Sequence, residues 1–351
     1  MKHRLGFISL LFLALAPTAM ASSKWYVDGV NGSDNSNCKS PQTACKTIGH
    51  AISLASPGDS ILVAAATYTE NLTIGFSLRV VGSGATTTIV DGGRVNTVVT
   101  IPNANAHVIL SKLTVRNGPA QSGGGIVNNG TLTISNSTLD GNSAGAPPFG
   151  GCSILCTAAG GGIWNSGTLA ISNSTLSSNR AIWANGCSYC TAEGGGISNG
   201  GTLAISNSTL SSDQAECGES RCHQHGGGIY GTATLQNSIV AYSFGGLKGG
   251  SNCSGTITSK GYNLSSDGSC NFNNTGDLNN TDPKLGHLGN YGGPTQTIPL
   301  LSGSPAIDAG NPSGCTDGKG HLLKTDQRGK PRPDKEDTGG CDMGAYERQK
   351  D

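Results

Sequence analysis

Two cysteines and two histidines stand close together near the middle of the chain, in the order Cys217-x4-Cys222-His223-x-His225. Cysteine and histidine at such short spacings are the usual ligands of structural zinc. The chain carries 12 cysteines, however, and an even number in an exported chain is typical of disulfides. We therefore favour a disulfide with two neighbouring histidines over a zinc site.

The other cysteines also fall into near-neighbour pairs, so every cysteine is a disulfide candidate. The candidate pairs are Cys38 with Cys45, Cys152 with Cys156, Cys187 with Cys190, Cys217 with Cys222, Cys253 with Cys270, and Cys315 with Cys341. The inner pairs could instead bridge neighbouring loops, and sequence alone leaves that alternative open.

Aromatic residues make up only 5% of the chain, yet four of them lie in or beside its variable segments. Flat aromatic faces next to polar groups suit contact with a sugar ring. Trp183 and Tyr189 share one variable segment, and we expect them to be the better ligand-binding candidates. Trp164 and Tyr230 follow the same repeated motif, and we expect them mainly to cover an edge of the fold.

Catalysis on polysaccharides needs clustered carboxylates, for calcium or for acid–base work, together with a basic residue. The repeats carry no such column, since Asp140 aligns with Ser177 and Ser211. A charged run at 326–337 could hold a cation, but we favour a solvated loop in which Arg328 pairs with a carboxylate. We expect no catalytic residue, no metal and no cofactor, with calcium only if the protein is an enzyme after all.

The elements that would position these residues come from a repeat. GGGI begins at Gly123, Gly160, Gly194 and Gly226, and an alternating segment such as TLTISNSTL follows it. A period of 32 to 37 residues indicates stacked supersecondary units. Alternation directs one set of side chains inward, where like residues stack about 4.8 Å apart. The inward columns are Ile126, Ile163, Ile197 and Ile229; Leu132, Leu169 and Leu203; Ile134, Ile171 and Ile205; and Leu139, Leu176 and Leu210.

A column of asparagines falls where each coil must turn: Asn136, Asn173, Asn207 and Asn237. Asparagine tolerates left-handed backbone angles, and stacked amides can bond to one another. Three copies are also Asn-x-Ser/Thr sequons. We favour the structural role, because a glycan has no room at a stacked corner.

Between the repeats lie inserts at 143–159, 180–193 and 214–225, each with one cysteine pair. Inserts at a fixed point of a repeat emerge one above another. We therefore expect a disulfide-stiffened patch of loops on one edge, where specificity would reside.

Four regions are predicted along the chain. Residues 1–21 read as a signal peptide, with Lys2 and Arg4 before an apolar run and Ala19-Met20-Ala21 at the cleavage site. Residues 22–75 form an N-terminal cap with a helix, 76–250 form the coils, and 251–351 form a C-terminal module. The chain balances 22 Lys and Arg against 22 Asp and Glu, so no basic surface for nucleic acid is expected, and no later segment could span a membrane.

The GGGI repeats resemble those of the polymorphic outer-membrane protein family and, more broadly, right-handed parallel β-helix proteins of the pectate-lyase-like fold. SPAIDAG (304–310), TDQRG (325–329) and CDMGAYE (341–347) resemble the choice-of-anchor Q domain of secreted bacterial proteins. These resemblances imply an all-β, right-handed, single-stranded parallel β-helix with an N-terminal capping helix.

Two function classes remain. The first, which we favour, is a secreted, monomeric, non-catalytic β-helix, adhesin-like or matrix-associated, that binds extracellular polysaccharide or a cell surface through the insert edge. The second is a polysaccharide lyase or glycoside hydrolase, which rests on fold analogy.

Overall fold

The computed structural model describes residues 22–82, 88–145, 156–183, 190–217, 222–246, 251–317, 320–335 and 340–349. The predicted signal peptide lies outside these ranges. Every pairing between the named strands is parallel, and the strands stack coil upon coil. Crossovers between parallel strands are right-handed in nearly all proteins. The chain is a right-handed parallel β-helix, as its sequence predicts.

Three sheets surround the main core. The first sheet has the strands β1 Lys24–Val27, β2 Ser60–Val63, β5 Leu78–Gly82, β8 His107–Ser111, β12 Thr131–Ser135, β17 Thr168–Ser172, β22 Thr202–Ser206, β27 Ala233–Gln236 and β31 Ile257–Ser259. The second has β3 Thr67–Thr69, β6 Ile89–Asp91, β9 Thr114–Arg116, β13 Thr138–Asp140, β18 Thr175–Ser177, β23 Thr209–Ser211, β28 Ile239–Ala241 and β32 Leu264–Ser265. The third has β4 Leu72–Thr73, β7 Val99–Ile101, β11 Ile126–Asn128, β16 Ile163–Asn165, β21 Ile197–Asn199, β26 Ile229–Gly231 and β30 Cys253–Ser254.

The predicted inward columns are confirmed, since all of those Ile and Leu side chains are buried in one continuous core. The register pairs each residue with its counterpart in the next copy, for example Leu132 with Leu169 and Leu169 with Leu203. Each fully buried Leu or Ile contributes about 1.5–3 kcal/mol through removal from water. A coil therefore gains this energy only when its neighbours cover it.

The cap at the start of the stack contains the helix α1 Ile48–Leu54 after a short 3-10 turn at Pro41–Thr43. The Glu70 carboxylate accepts hydrogen bonds from the free backbone amides of Ile48 and Gly49, at 2.9 and 2.7 Å. Ile48, Ala51 and Ile52 are buried. Leu54 is 38% exposed because it lies in the last turn of the helix.

The described ends of the inserts form strands where the sequence predicts loops. Their strands make a fourth sheet, β10 Pro119–Ala120, β14 Ser143–Ala144, β19 Arg180–Trp183, β24 Gln214–Cys217 and β29 Phe244–Gly245, and a fifth, β15 Cys156–Ala159, β20 Cys190–Glu193 and β25 His223–His225. The two sheets enclose a second, smaller core of alanine, cysteine and Trp183 side chains. The sequence missed these strands because they are short and their inward residue is mostly alanine, while residues 146–155, 184–189 and 218–221 of the inserts lie outside the described residues.

The stack also continues beyond the predicted boundary at residue 250, since β31 and β32 form a further coil that ends at Ser265. Residues 266–281 close the end of the stack, where Leu278 bridges Leu264 and Phe272 joins the main core. The described part of the following segment, residues 282–349, returns along the side of the coils. It packs Leu300, Ala306 and Met343 against Ile239 and Ala241 of the second sheet.

The asparagine column connects this returning segment to the coils. All four asparagines have positive φ, near 50°, at the corner between the first and second sheets. Asn173 donates to Asn136 Oδ1 at 2.7 Å, and Asn237 donates to Asn207 Oδ1 at 3.0 Å. Asn173 also donates to the Thr325 carbonyl, and Asn207 to the Thr316 carbonyl. The predicted corner and amide contacts are therefore present, and the column additionally docks the C-terminal segment.

The charged run at 326–337 is not the solvated loop that we expected. Arg328 pairs with Asp326 at 2.7 Å, and Arg332 pairs with Glu347 at 2.6 Å. All four side chains are buried, because the segment folds against the coils. Arg332 also donates to Asn173 Oδ1 at 3.2 Å, so the pairing that was expected for Arg328 exists but inside a buried polar network.

Candidate functional site

A concave corner forms where each insert returns to the main stack through its glycine triplet. Gly160, Gly194 and Gly226 have φ values of 66°, 58° and 53°. A Cβ at Gly194 would lie 2.0 Å from the Ile197 carbonyl oxygen, so only glycine fits. The chain turns sharply there from the fifth sheet into the third, and the outer faces of these two sheets come together.

The third sheet contributes one outward column to this corner. Its register pairs Trp164 with Ser198, and Ser198 with Tyr230. Trp164 and Tyr230 are partly exposed, whereas Ser198 between them is 5% exposed. The two aromatic residues are two strands apart, about 9.6 Å along the stack. A single small side chain, Ser198, lies between the two rings and is itself largely covered.

The fifth sheet contributes His223, His225 and Glu193. Gln224 lies in register with Ala192, which is fully buried, so the two histidines on either side of Gln224 face outward. The ring centroids of His223 and His225 lie 6.2 Å apart, with the planes 2° from parallel. The His225 ring is 5.6 Å from the Tyr230 ring of the third sheet. We call Trp164, Glu193, Ser198, His223, His225 and Tyr230 the corner cluster.

Partial burial disfavours the charged forms of the side chains in the corner cluster. Burial raises the pKa of Glu193, and a hydrogen bond from Tyr230 opposes that shift. The charge of Glu193 in turn raises the pKa of Tyr230. Burial and the neighbouring His223 lower the pKa of His225. At neutral pH the cluster therefore offers a neutral imidazole at His225 and a phenol hydroxyl beside one carboxyl group.

The structure reverses the expected ranking of the aromatic candidates. Trp183 is 8% exposed and packs in the insert core, because Ala181 and Trp183 are the inward residues of β19. Its ring face is closed to a ligand, so the expectation for Trp183 was wrong. Tyr189 lies outside the described residues. Trp164 and Tyr230, which we ranked lower, share one surface column.

Four of the six candidate cysteine pairs are disulfides: Cys38–Cys45, Cys217–Cys222, Cys253–Cys270 and Cys315–Cys341. Cys156 and Cys190 are also disulfide-bonded, while Cys152 and Cys187 lie outside the described residues. Because Cys217 and Cys222 bond to each other, neither offers a thiolate to zinc in this state. The disulfide interpretation of the Cys-x4-Cys-His-x-His motif is confirmed.

One carboxylate column escaped the sequence analysis. On the second sheet the register pairs Asp91 with Arg116, and Arg116 with Asp140. Burial alone would raise the pKa of Asp91, but hydrogen bonds from Gly93, Arg116 and Asn117 hold it below its usual value. Burial raises the pKa of Asp140, and Arg116 opposes that shift. Asp91 and Arg116 precede the GGGI copies, so the repeat alignment could not place them beside Asp140.

A shallow groove of about 270 Å³ lies on the outer face of the first sheet. Its floor consists of small neutral residues such as Thr133, Ala170 and Ala204, and its charged lining residues are Lys260 and Asp317. Asp317 already pairs with His321 at 3.0 Å. The groove offers a surface but no paired carboxylates.

Comparisons with known proteins add little beyond the fold. No protein-family model matches the chain, and no curated protein matches it. The crystal structure of the pectate lyase Pel9A is similar at 15% identity and a TM-score of 0.38, covering 94% of this chain and 98% of that one. The resemblances to the GGxI repeat family and to the choice-of-anchor Q domain therefore stay predictions. No helix in the described residues is long and apolar enough to cross a membrane.

Proposed function

We propose that this protein is a secreted, non-catalytic β-helix that binds extracellular polysaccharide or a glycan-bearing cell surface at the corner cluster. The observation that carries the proposal is the column Trp164–Ser198–Tyr230, in which a small side chain lies between two partly exposed aromatic side chains. Tryptophan and tyrosine combine an apolar ring with a polar atom, which suits the apolar face and hydroxyl rim of a sugar.

Polar groups beside the Trp164 and Tyr230 rings support the same proposal. Glu193, His225 and the Tyr230 hydroxyl stand beside the rings, where they could accept and donate hydrogen bonds to sugar hydroxyls. Glu193 is the one carboxylate of the corner cluster, and a glycosidase of the usual kind needs two. The cluster thus favours recognition over cleavage, with no cofactor required.

The setting of the site fits an exported protein that acts as a monomer at a surface or in a matrix. Disulfides in the cap, the insert and the last coil persist in oxidising compartments. The Cys217–Cys222 disulfide also stiffens the strand that carries His223 and His225. We propose the same adhesin-like or matrix-associated role that the sequence favours, with the binding residues moved from Trp183 to Trp164 and Tyr230.

Glycan-array and polysaccharide pull-down binding test the proposal. Trp164→Ala and Tyr230→Ala should each weaken binding about tenfold or more. An aromatic side chain that stacks on a sugar ring contributes roughly 1–3 kcal/mol to binding. Ser198→Leu should also weaken binding, because a larger side chain between the rings changes the surface that they present while both remain. Phe244→Ala, at a 40% exposed aromatic outside the cluster, is the matched control and should bind normally.

Two results would overturn this proposal. One is a folded protein that binds no polysaccharide or surface. The other is binding that survives all three cluster substitutions, which would assign recognition to another surface such as the groove on the first sheet.

The alternative function is a polysaccharide lyase or hydrolase, and the column Asp91–Arg116–Asp140 is the observation that favours it. Opposite pKa shifts on two nearby carboxyl groups are a feature of acid–base pairs. Release of reducing ends or unsaturated products, measured with and without calcium, tests it. Activity that Asp140→Asn removes would establish the enzyme, and no turnover on a broad panel would dismiss it.

A further inference from the structure

We propose that His223, His225 and Glu193 form a binding site for a divalent transition-metal ion, on the outer face of the fifth sheet. The histidines are two residues apart on one strand and therefore project from the same face. Glu193 is the register partner of His225 on the neighbouring strand. Two imidazoles and a carboxylate on one sheet face are a ligand set that zinc, copper and nickel accept.

The backbone that carries these ligands is held in place from the opposite side. Gln224, between the two histidines, donates to the Cys217 carbonyl at 3.1 Å and accepts from the Gly246 amide at 3.2 Å. The Cys217–Cys222 disulfide ends immediately before His223. A ligand pair on a strand that is fixed in this way loses little backbone freedom when an ion binds.

The side chains themselves have room to adjust. The histidine ring centroids are 6.2 Å apart, and each nitrogen must come within about 2.0–2.1 Å of a shared ion. His223 is exposed, and no hydrogen bond within the described chain holds its ring, so rotation about its side-chain bonds can bring the two nitrogens together. His225 already lies against Tyr230, with ring centroids 5.6 Å apart, and Tyr230 hydrogen-bonds to Glu193, so His225 and Glu193 share one neighbour.

The donor set also selects the class of ion. Calcium takes six to eight oxygen ligands and magnesium keeps most of its waters, and neither prefers imidazole. An ion held by two nitrogens and one carboxylate keeps open positions for water or an external donor. The inference does not require the proposed function, but His225 and Glu193 belong to both sites, so metal binding is measured without glycan.

Titration of tag-free, metal-stripped protein with Zn²⁺ alone and with Cu²⁺ alone tests the site, in the absence of any glycan. Wild type should bind one equivalent. His223→Ala, His225→Ala and Glu193→Gln should each weaken binding at least tenfold, and the double histidine variant should bind none at this stoichiometry. His287→Ala, which removes an exposed histidine elsewhere, should bind as wild type does.

The electron paramagnetic resonance spectrum of the Cu²⁺ form gives a second readout. It should show two nitrogen ligands in wild type and in His287→Ala, and one in His225→Ala. No stoichiometric binding by wild type, or binding that His223→Ala and His225→Ala leave unchanged, would overturn the proposal. Loss of metal binding with intact glycan binding, or the reverse, separates this site from the proposed function.

Discussion

At the scale of single residues, the polar side chains inside the stack distinguish this chain from a purely apolar solenoid. Asn128, Asn165 and Asn199 form one buried amide ladder, with side-chain contacts of 2.6 Å. Asn142 and Asn179 form another, and Asp213 occupies its third position. A carboxyl group thus lies where the repeat otherwise places an amide. Because it is buried away from water, its oxygens need hydrogen-bond partners within the protein.

Asp213→Asn should stabilise the protein, and more strongly as pH rises. Burial raises the pKa of Asp213 to about 8, far above the unfolded value near 3.8. Folding therefore retains a proton that the unfolded chain releases, and stability falls between about pH 4 and pH 8 by at most about 1.4 kcal/mol per pH unit. The variant removes that loss. Its new amide would also donate where Oδ2 now has no partner.

Thermal unfolding of both proteins at pH 5 and pH 9 measures this effect. The midpoint of the variant should exceed that of wild type by more at pH 9 than at pH 5. Glu216→Gln removes a half-exposed carboxylate on the neighbouring strand and should show no such difference. An equal or smaller gain at pH 9 would mean that Asp213 stays ionised in the folded protein.

At the scale of elements, the sequence predicts those parts of the coil that repeat in register and misses the rest. The Ile and Leu columns recur at a fixed position after GGGI, so their inward direction could be read directly. The fourth and fifth sheets could not, because strands such as Cys156–Ala159 and His223–His225 are short and bounded by variable sequence. Trp183 was misassigned for the same reason, since a residue in an expected loop is expected to be exposed.

Replacing Cys217 and Cys222 together by serine should loosen the insert and leave the main coils intact. The disulfide joins β24 to β25, whereas the main core is a separate cluster of buried residues. A short closed loop of this kind contributes about 1–3 kcal/mol. Hydrogen exchange should rise at 214–217 and 223–225, while the far-ultraviolet circular dichroism stays that of wild type.

The corresponding replacement of Cys38 and Cys45 serves as the comparison, since it should raise exchange in the cap and not in the insert. Loss of the whole circular dichroism signal in the Cys217 and Cys222 variant would show instead that the insert sheets and the coils fold as one unit.

At the scale of the whole molecule, the returning C-terminal segment is the feature that sequence reasoning could not place. Its contacts join residues more than 100 positions apart, and no local sequence pattern predicts such pairs. Gln327 illustrates the point. Its amide nitrogen lies 2.7–3.1 Å from oxygen acceptors on Ser137, Thr138, Thr295 and Gln296, and its oxygen accepts from Thr175. One buried side chain thus ties the segment to two successive coils.

Gln327→Ala should release the C-terminal segment from the coils. The substitution removes the hydrogen-bond partner of two buried hydroxyls, Thr175 and Thr295, at a cost of about 1–3 kcal/mol for each. Limited proteolysis followed by mass spectrometry should show faster cleavage within residues 282–349 and a protected stack before residue 282. Gln349→Ala, at a more exposed glutamine of the same segment, should be cleaved at the wild-type rate. Cleavage that begins in the coils would argue against an independently docked segment.

The docking of that segment on the asparagine column has a consequence for how the protein is produced. Asn136, Asn173 and Asn207 each begin an Asn-Ser-Thr triplet, and the segment that contacts two of them is synthesised last. In a eukaryotic secretory pathway, oligosaccharide would reach these asparagines while Thr316 and Thr325 are still unmade. Each attached glycan would then occupy the docking position. We therefore expect the folded protein from expression in a bacterial periplasm, where cysteines are oxidised without that modification.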